Sequence, residues 1–241
     1  MLIRDENFRE LYGSYIIVKN KRNAQDVVRT FQIDSIIGDF DDDDFEEKFK
    51  SIEVSDDINS LLVVPYIDYE RGLSFLTLTY ASYDGKSVNI YKRNDDFSIF
   101  SITRKDAFDN SEFLRIDEID NVFTEDGFDL NCFEDYVKRH MEHYIPNDDI
   151  KELRNLKSLD EYRNNDYPDD ILVFFFKKGC NPEGMWVRYM EKKDDYIVGK
   201  LLNSPNQNLG VDMGDSVKFS IGEKSGKKMC ICDLNKKRRF F

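Results

Sequence analysis

The residues best equipped for chemistry in this chain are its two histidines and four cysteines. His140 and His143 are three positions apart in a segment with helical periodicity, so their rings can share one neighbourhood. Zinc would need at least one further ligand, and Cys132 lies about two helical turns before His140. Metal binding or acid–base catalysis by this pair is therefore one hypothesis. The apolar stripe through His140 favours the other, a hydrogen-bonded core histidine with His143 beside it at the surface.

The remaining thiols do not follow a known redox or metal motif. Cys230 and Cys232 are two apart on a predicted strand, which places both on one face, unlike the tight turn of a C-x-x-C pair. They are expected to be half-buried. With Cys132 and Cys180 far away in a chain of 241 residues, reduced thiols are expected. No phosphate-binding glycine loop or nucleophile elbow occurs. The sequence therefore predicts no catalytic residue, no metal ligand and no cofactor.

Carboxylates form a conspicuous run before an apolar helical pattern that begins at Phe45. Acids in the first turn of a helix oppose its positive end and contribute roughly 0.3–1 kcal/mol each, which is a sufficient structural explanation. The calcium-binding loop pattern, with its central glycine and terminal glutamate, is absent. As candidate binding residues for a basic partner we take Asp41, Asp42, Asp43 and Asp44.

Aromatic and arginine side chains supply four further candidate binding residues. Tyr83 and Tyr91 belong to predicted strands, where cross-strand pairing explains them about as well as a contact surface does. Trp186 and Arg188 share one face of a strand near the C terminus. Residues of these types often anchor protein interfaces.

In the first half of the chain, the elements that position these residues are mainly predicted strands. Segments 61–67, 73–80, 86–93 and 97–103 are joined by turn-like sequences, including Asp84-Gly85, and predict an antiparallel meander. Pro65 lacks a backbone donor, so its strand is expected to lie at an edge or to bend. Residues 104–126 are predicted to form short helical pieces laid across a sheet. Asn23 is expected to cap an earlier helix.

Two helices follow in the middle of the chain. The first has an apolar stripe and ends before Pro146, and Asn147 caps the second, whose leucines point inward. The stripe consists of Phe133, Tyr136, Val137, His140, Met141 and Tyr144. Residues 171–176 are apolar on both faces and predict a central covered strand. A strand-rich C-terminal stretch follows it. There, residues 185–189 and 196–202 predict a hairpin, with Gly199 at a close approach or bulge.

The C-terminal stretch also carries a family resemblance. Its pattern is Glu183, Met185-Trp186-Val187, Gly199-Lys200-Leu201, Asn203, Pro205, Leu209, Gly214-Asp215-Ser216-Val217 and Phe219. This order resembles the small bacterial domain family called domain of unknown function 2314, over about residues 180–234. The resemblance implies a β-rich domain and carries no established activity. The chain departs from the family after Phe219, where it lacks the acidic-tryptophan ending.

Charge and composition limit the class of protein to which the chain can belong. A net charge of −13 opposes nonspecific nucleic-acid binding. The charge either keeps a cytosolic protein soluble, which is the simpler interpretation, or steers a basic protein partner toward the chain. The 14% of aromatic residues indicate a globular chain. No stretch has the length of a signal peptide's apolar region or of a membrane span. We expect a cytoplasmic, bacterial-type α+β protein with antiparallel sheets and packed helices in two intimately associated lobes. The expected parts are residues 1–126, a helical connector 127–168, and a β-rich domain 169–241.

Three functions remain open on this basis. The first is a non-enzymatic protein-binding protein, such as an immunity or inhibitor protein that occludes the basic cleft of a toxin. The second is a small-molecule- or metal-dependent enzyme with a site between the lobes that uses His140 or His143. The third is an accessory domain that docks through the basic C-terminal tail, residues 236–241.

Overall fold

The computed structural model describes residues 2–3, 7–19, 57–92, 102–108, 111–224 and 226–235. Asp41–Asp44, the helix predicted after Asn23 and the basic tail lie outside these residues. The chain divides into two compact units, Met1–Tyr144 and Ile145–Phe241, and the division falls within the segment predicted as a connector. The fold is α+β with mainly antiparallel sheets, as predicted.

The first unit is built on a sheet that is covered on both faces. Its strands are β1 (Ile16–Lys19), β2 (Ser60–Asp68), β3 (Gly72–Tyr83), β4 (Ser87–Ile90), β5 (Ile102–Arg104), β6 (Glu112–Arg115) and β7 (Asn121–Thr124). Its helices are α1 (Phe8–Leu11), α2 (Lys105–Phe108) and α3 (Glu134–Glu142), with 3-10 turns at Ile116–Glu118, Glu125–Gly127 and Leu130–Phe133. Among the described residues the strand order is β6-β1-β2-β3-β4-β7, and β5 pairs with β3.

The meander prediction is confirmed for three strands, whereas residues 97–101 of the fourth predicted segment lie outside the described residues. β2, β3 and β4 pair antiparallel in sequence, and the Asp84 carboxylate accepts hydrogen bonds from two backbone N–H groups in the β3–β4 turn. The fourth segment, β5, pairs with β3 and not with β4. β3 is long enough for both, because β4 occupies its end near Tyr83 and leaves Ser74–Leu76 open to β5. β4 instead pairs in parallel with β7.

Pro65 does not mark an edge strand, because β2 lies between β1 and β3. The pairing of β1 with β2 extends only to Ile16 opposite Val63, so Pro65 lies beyond the end of that ladder. Its carbonyl accepts a hydrogen bond from the N–H of Gly13 at 3.0 Å, on the side from which the chain enters β1. The missing donor of the proline therefore costs no ladder bond.

Residues 104–126 contain the predicted short helical pieces, and they also contain two strands that were not predicted. β6 pairs antiparallel with β1, and β7 pairs with β4. Each strand has four residues, too few for alternation to be visible in the sequence. Partners distant in the sequence determine these strands, because local propensity is a weak guide where a segment is short.

The helix α3 lies where the apolar stripe predicted it. Phe133 belongs to the buried cluster on one face of the sheet, with Leu62, Val64, Tyr66 and Leu76. The other members of the predicted stripe apart from His140 pack against that cluster: Tyr136, Val137, Met141 and Tyr144. His140 contacts the ring of Tyr66. The opposite face of the sheet is covered by a second cluster that includes Leu11 of α1 and Phe108 of α2.

The second unit combines a helix with a closed barrel. The helix α4 (Asp148–Asn155) is capped by Asn147, whose side-chain oxygen accepts the N–H of Ile150 at 2.9 Å, as predicted. A 3-10 segment, Lys157–Tyr162, follows. The barrel strands are β8 (Asp170–Phe176), β9 (Glu183–Lys192), β10 (Ile197–Leu201), β11 (Ser216–Lys224) and β12 (Lys227–Asp233).

The barrel closes with one parallel pair. Its neighbours are antiparallel in sequence from β8 to β12, and β12 then pairs in parallel with β8. An odd number of strands in an up-and-down order requires this. The hairpin of β9 and β10 and the irregularity at Gly199 are both as predicted, since the register shifts between Val198 and Gly199. A Cβ at Gly199 would lie 2.5 Å from Val187 Cγ1 and 2.6 Å from the carbonyl oxygen of Arg188.

In the described part of the chain no helix is long and apolar enough to cross a membrane.

Candidate protein-binding surface

The most distinctive surface of the first unit is a run of carboxylates around β7. Residues 116–137 contain eight acidic residues and no lysine or arginine. All eight are exposed: Asp117, Glu118, Asp120, Glu125, Asp126, Asp129, Glu134 and Asp135. We call this surface, formed by β7, its flanking 3-10 turns and the start of α3, the acidic edge.

Apolar side chains between the acids hold the acidic edge against the sheet. Ile116, Ile119, Val122, Phe128 and Leu130 pack against the buried cluster beneath α3. Each apolar contact turns one side of the segment inward, so the intervening acids face water, where ionised groups are best solvated. The positions of the carboxylates thus follow from the burial of their neighbours.

A hydrogen bond holds the turn after β7, and an ion pair lies at the turn before it. The carboxylate of Glu125 accepts the backbone N–H of Lys92 at 2.8 Å, which ties the turn after β7 to the end of β4. Asp126 has a φ of 54°, in the left-handed region, and Gly127 follows with a φ of 67°. On the other side, Arg115 lies 3.7 Å from Glu118. The acidic edge is therefore supported at both ends.

β7 is the last strand of the sheet and carries an exposed aromatic residue. It pairs with β4 through Asn121 to Thr124, and no other described strand pairs with it. Val122 packs inward, whereas Phe123 alternates to the other face and is 55% exposed. A large exposed apolar side chain in a segment rich in exposed carboxylates is the composition expected of a surface that contacts a cationic protein.

The sequence-predicted tyrosines have contacts within the first unit, and Tyr91 directly precedes Lys92, whose N–H is bonded to Glu125 of the acidic edge. Tyr83, at the end of β3, packs against the buried cluster beneath α3, and the Lys19 ammonium group lies 5.6 Å from its ring centre. Tyr91 donates its hydroxyl hydrogen to the Asp57 carboxylate and lies 3.3 Å from Ser82 Oγ. Burial, followed by the bond to Asp57, raises the pKa of Tyr91. Both side chains have structural contacts.

Trp186 and Arg188 lie in the second unit on the outward-facing side of β9. The backbone N–H of Trp186 donates to Asn203 Oδ1 at 2.8 Å, and its side chain is half-buried. Arg188 forms a two-pronged ion pair with Asp170, at 2.7 and 3.0 Å. Burial raises the pKa of Asp170 although Arg188 opposes the shift. The guanidinium group of Arg188 is therefore already engaged within its own unit.

His140 is held by aromatic rings. Its ring centre lies 4.7 Å from that of Tyr66, edge to face, and 5.0 Å from that of Tyr144. Its Nε2 atom is buried and finds no hydrogen-bond partner among the described residues, contrary to the predicted hydrogen-bonded role. Burial lowers the pKa of His140 to about 4, with a smaller contribution from His143. The imidazole is therefore neutral at physiological pH. His143 is exposed, as predicted.

No group of three or more His, Cys, Asp or Glu side chains among the described residues is arranged to hold a metal ion. Cys132 is exposed, while Cys230 and Cys232 are fully buried, not half-buried as predicted. Burial raises the pKa of Cys230 to about 12, which keeps its thiol protonated and unreactive.

A buried polar network organises the base of the second unit. Asp169 accepts two hydrogen bonds from Arg154, at 2.9 and 2.7 Å, and one from the Tyr189 hydroxyl at 2.5 Å. Arg163 donates to the Leu153 carbonyl at 2.6 Å and to the Tyr189 oxygen at 3.2 Å. These bonds join α4 to β9 and satisfy the buried charges.

The loop after β10 forms a shallow polar depression of about 460 Å³. Its polar groups are largely used internally, since Ser204 donates to Asp212 at 2.6 Å and Asn206 donates to Glu183 at 2.7 Å. The Ser204 hydroxyl, followed by the backbone N–H of Met213, lowers the pKa of Asp212. Several residues of the family-like pattern, including Glu183 and Asn203, thus shape this loop.

Sequence reasoning missed the acidic edge because it treated 104–126 as helical and sought carboxylates in an unbroken run. The sequence did contain a signal, because residues 116–137 include no lysine or arginine and their acids alternate with recurring apolar residues. Comparisons with protein-family models, curated proteins and solved structures found no match to this chain. The resemblance over residues 180–234 therefore stays a prediction.

Proposed function

We propose that this chain is a non-enzymatic cytosolic protein that acts by binding another protein with a basic surface. An immunity or inhibitor protein that occludes a toxin's basic cleft is the specific form we favour. The observation that supports the proposal is the acidic edge, whose eight exposed carboxylates lie in the same segment of chain as the exposed ring of Phe123.

The mechanism combines long-range attraction with a local apolar contact. Carboxylates of one sign along a surface steer a cationic protein toward it and raise the rate of association. Screening limits this attraction to about 8 Å at physiological ionic strength, so it weakens steeply as salt is added. Phe123, once covered, removes apolar area from water and adds affinity that salt does not screen.

Affinity capture from the native host, followed by a salt titration, tests the proposal. The bait is the full chain, compared with a variant that carries Asp117→Asn, Asp120→Asn and Asp126→Asn. These acids are exposed, and Asn tolerates the left-handed backbone at position 126. We expect the variant to lose most of the salt-sensitive binding.

The matched control removes the same number of charges elsewhere. Glu161→Gln, Asp194→Asn and Asp195→Asn alter exposed acids of the second unit. We expect this control to bind as the parent does. Capture of no basic protein, binding that salt does not change, or equal losses in both variants would refute the proposal.

A second candidate is a small-molecule- or metal-dependent enzyme that uses His140. It rests on the buried, unpartnered Nε2 atom and on the neutral state of the imidazole. Metal analysis, combined with replacement of His140 and His143 together, separates the two functions. Loss of a bound metal without unfolding would favour the enzyme, and an unchanged metal content would remove it.

A further inference from the structure

The unpaired edge of β7 indicates the backbone conformation of the partner segment as well as its charge. β7 forms its ladder with β4 from Ser87 opposite Asn121 to Ile90 opposite Thr124. Alternate residues of such a strand direct their N–H and C=O groups away from the ladder. Within the described residues no strand or bridge occupies that outer side. An added strand would satisfy these groups.

Apart from its length of only four residues, β7 lacks the devices that usually protect a sheet edge. Natural edges carry lysines, prolines or bulges that discourage pairing with another chain. β7 has none of these, since it reads Asn-Val-Phe-Thr and its register with β4 is continuous. The opposite edge, β6, differs because it carries Glu112 and Arg115 and is bridged by Leu2. Among the described strands β6 is partly covered by this bridge, whereas β5 and β7 each pair with one strand and leave one edge free.

The charges around β7 select which strand can pair there. Asp117, Glu118 and Asp120 precede the strand, and Glu125 and Asp126 follow it, all exposed. A second copy of this chain would place like charges against like, which is destabilising. An extended segment with lysine or arginine at its ends would place opposite charges at both ends of β7.

We propose that the partner contributes an extended, cation-flanked segment that pairs with the free edge of β7. This inference rests on the proposed function and specifies the partner's contact. Main-chain hydrogen bonds supply affinity that does not depend on side-chain identity, the carboxylates select a cationic segment, and Phe123 contacts a side chain of the added strand.

Binding of two short peptides to the full chain, followed by NMR at low salt, tests the inference. The first peptide alternates threonine and valine between paired lysines. The second has the same sequence and charge but carries methyl groups on alternate backbone nitrogens, which block pairing. We expect the first to slow hydrogen exchange of β7 amides and to bind at least about tenfold more tightly, a difference of roughly 1.4 kcal/mol.

The outcomes separate this inference from the proposed function. Equal binding of both peptides at the acidic edge would overturn strand pairing and leave the proposed electrostatic binding intact. Failure of both peptides to shift any resonance of the acidic edge would contradict both. Protection confined to other parts of the chain would also overturn the inference.

Two proline variants, Val122→Pro and Phe123→Pro, provide an independent test. Neighbouring residues of a strand direct their N–H groups to opposite edges, so one variant removes an outer amide without removing a bond to β4. A melting temperature close to that of the parent identifies this variant. We expect it to bind the unmethylated peptide about tenfold more weakly. Binding equal to that of the parent would overturn the inference.

Discussion

Removal of the charge on Asp169 is expected to destabilise the second unit strongly. Its carboxylate accepts two bonds from Arg154 and one from Tyr189, and the side chains of Arg154 and Asp169 are only 8% and 3% exposed. Asp169→Asn keeps the volume but leaves a buried guanidinium group without its counter-charge. Breaking one partner of such a pair costs about 3–5 kcal/mol. Asparagine retains one acceptor oxygen, so we expect a loss at the lower end of this range, about 3 kcal/mol in the free energy of unfolding.

Urea unfolding monitored by tryptophan fluorescence measures this loss. The chain has one tryptophan, Trp186, and it lies on β9 of the second unit, so the signal reports on that unit. With a denaturant dependence of about 1.5 kcal/mol/M, the urea midpoint should fall by about 2 M. The slope should not change, since the variant exposes the same surface on unfolding.

Two controls separate the charge from the substitution itself. Asp148→Asn breaks an exposed pair with Lys151 and should leave the midpoint unchanged. The double variant Asp169→Asn with Arg154→Met removes both charges of this pair and should recover part of the stability, because neither partner then leaves the other unpaired. A midpoint shift below about 0.3 M for Asp169→Asn, equivalent to roughly 0.5 kcal/mol, would refute the reasoning.

Three further predictions concern packing and titration. Because the pKa of His140 is lowered to about 4 in the folded chain, its imidazole stays neutral there while the unfolded chain takes up a proton below about pH 6.5. As far as His140 is concerned, the folded state is therefore fully stable above about pH 6.5 and loses stability as the pH falls toward 4. The free energy of unfolding of His140→Phe should therefore fall by about 1 kcal/mol less than that of the parent between pH 7 and pH 5, after a discount for partial exposure. Gly199→Ala should cost about 1–3 kcal/mol, because its Cβ would overlap neighbouring backbone. Thiol labelling of the native chain should modify Cys132 before Cys230 or Cys232.

Each of these predictions has its own contradicting result. Identical pH dependence of urea stability in the parent and His140→Phe would show that the imidazole does not titrate as described. Gly184→Ala, whose Cβ would lie 3.3 Å from the flexible end of Leu172, is the control for Gly199→Ala, and equal losses would contradict the steric argument. Labelling of Cys230 as fast as Cys132 in the folded chain would contradict its burial.

Elements set by local signals were predictable from the sequence. The stripe that formed α3, the Asn147 cap of α4 and the hairpin of β9 and β10 each depend on residues close together in the chain. The position of Gly199 was predictable for the same reason, since a glycine inside a strand indicates a close approach. In these cases local propensity and tertiary packing agree.

Elements set by distant partners were not predictable. β6 pairs with β1, with Ile16 opposite Arg115, and β5 pairs with β3 and not with β4. The parallel pair of β4 and β7 likewise depends on the whole sheet. Because the acidic edge exists only once β7 is placed last in that sheet, its surface could not be assembled from local patterns. The unpaired state of the His140 Nε2 atom also depends on packing.

The most direct test of the account is the salt dependence of partner binding by the parent chain and by the two charge variants. We expect the parent and the second-unit control to lose affinity together as salt rises. The acidic-edge variant, with Asp117, Asp120 and Asp126 neutralised, should bind weakly at all salt concentrations with a flatter dependence. If the acidic-edge variant instead follows the parent at every salt concentration, the acidic edge is not the binding surface and the account is wrong.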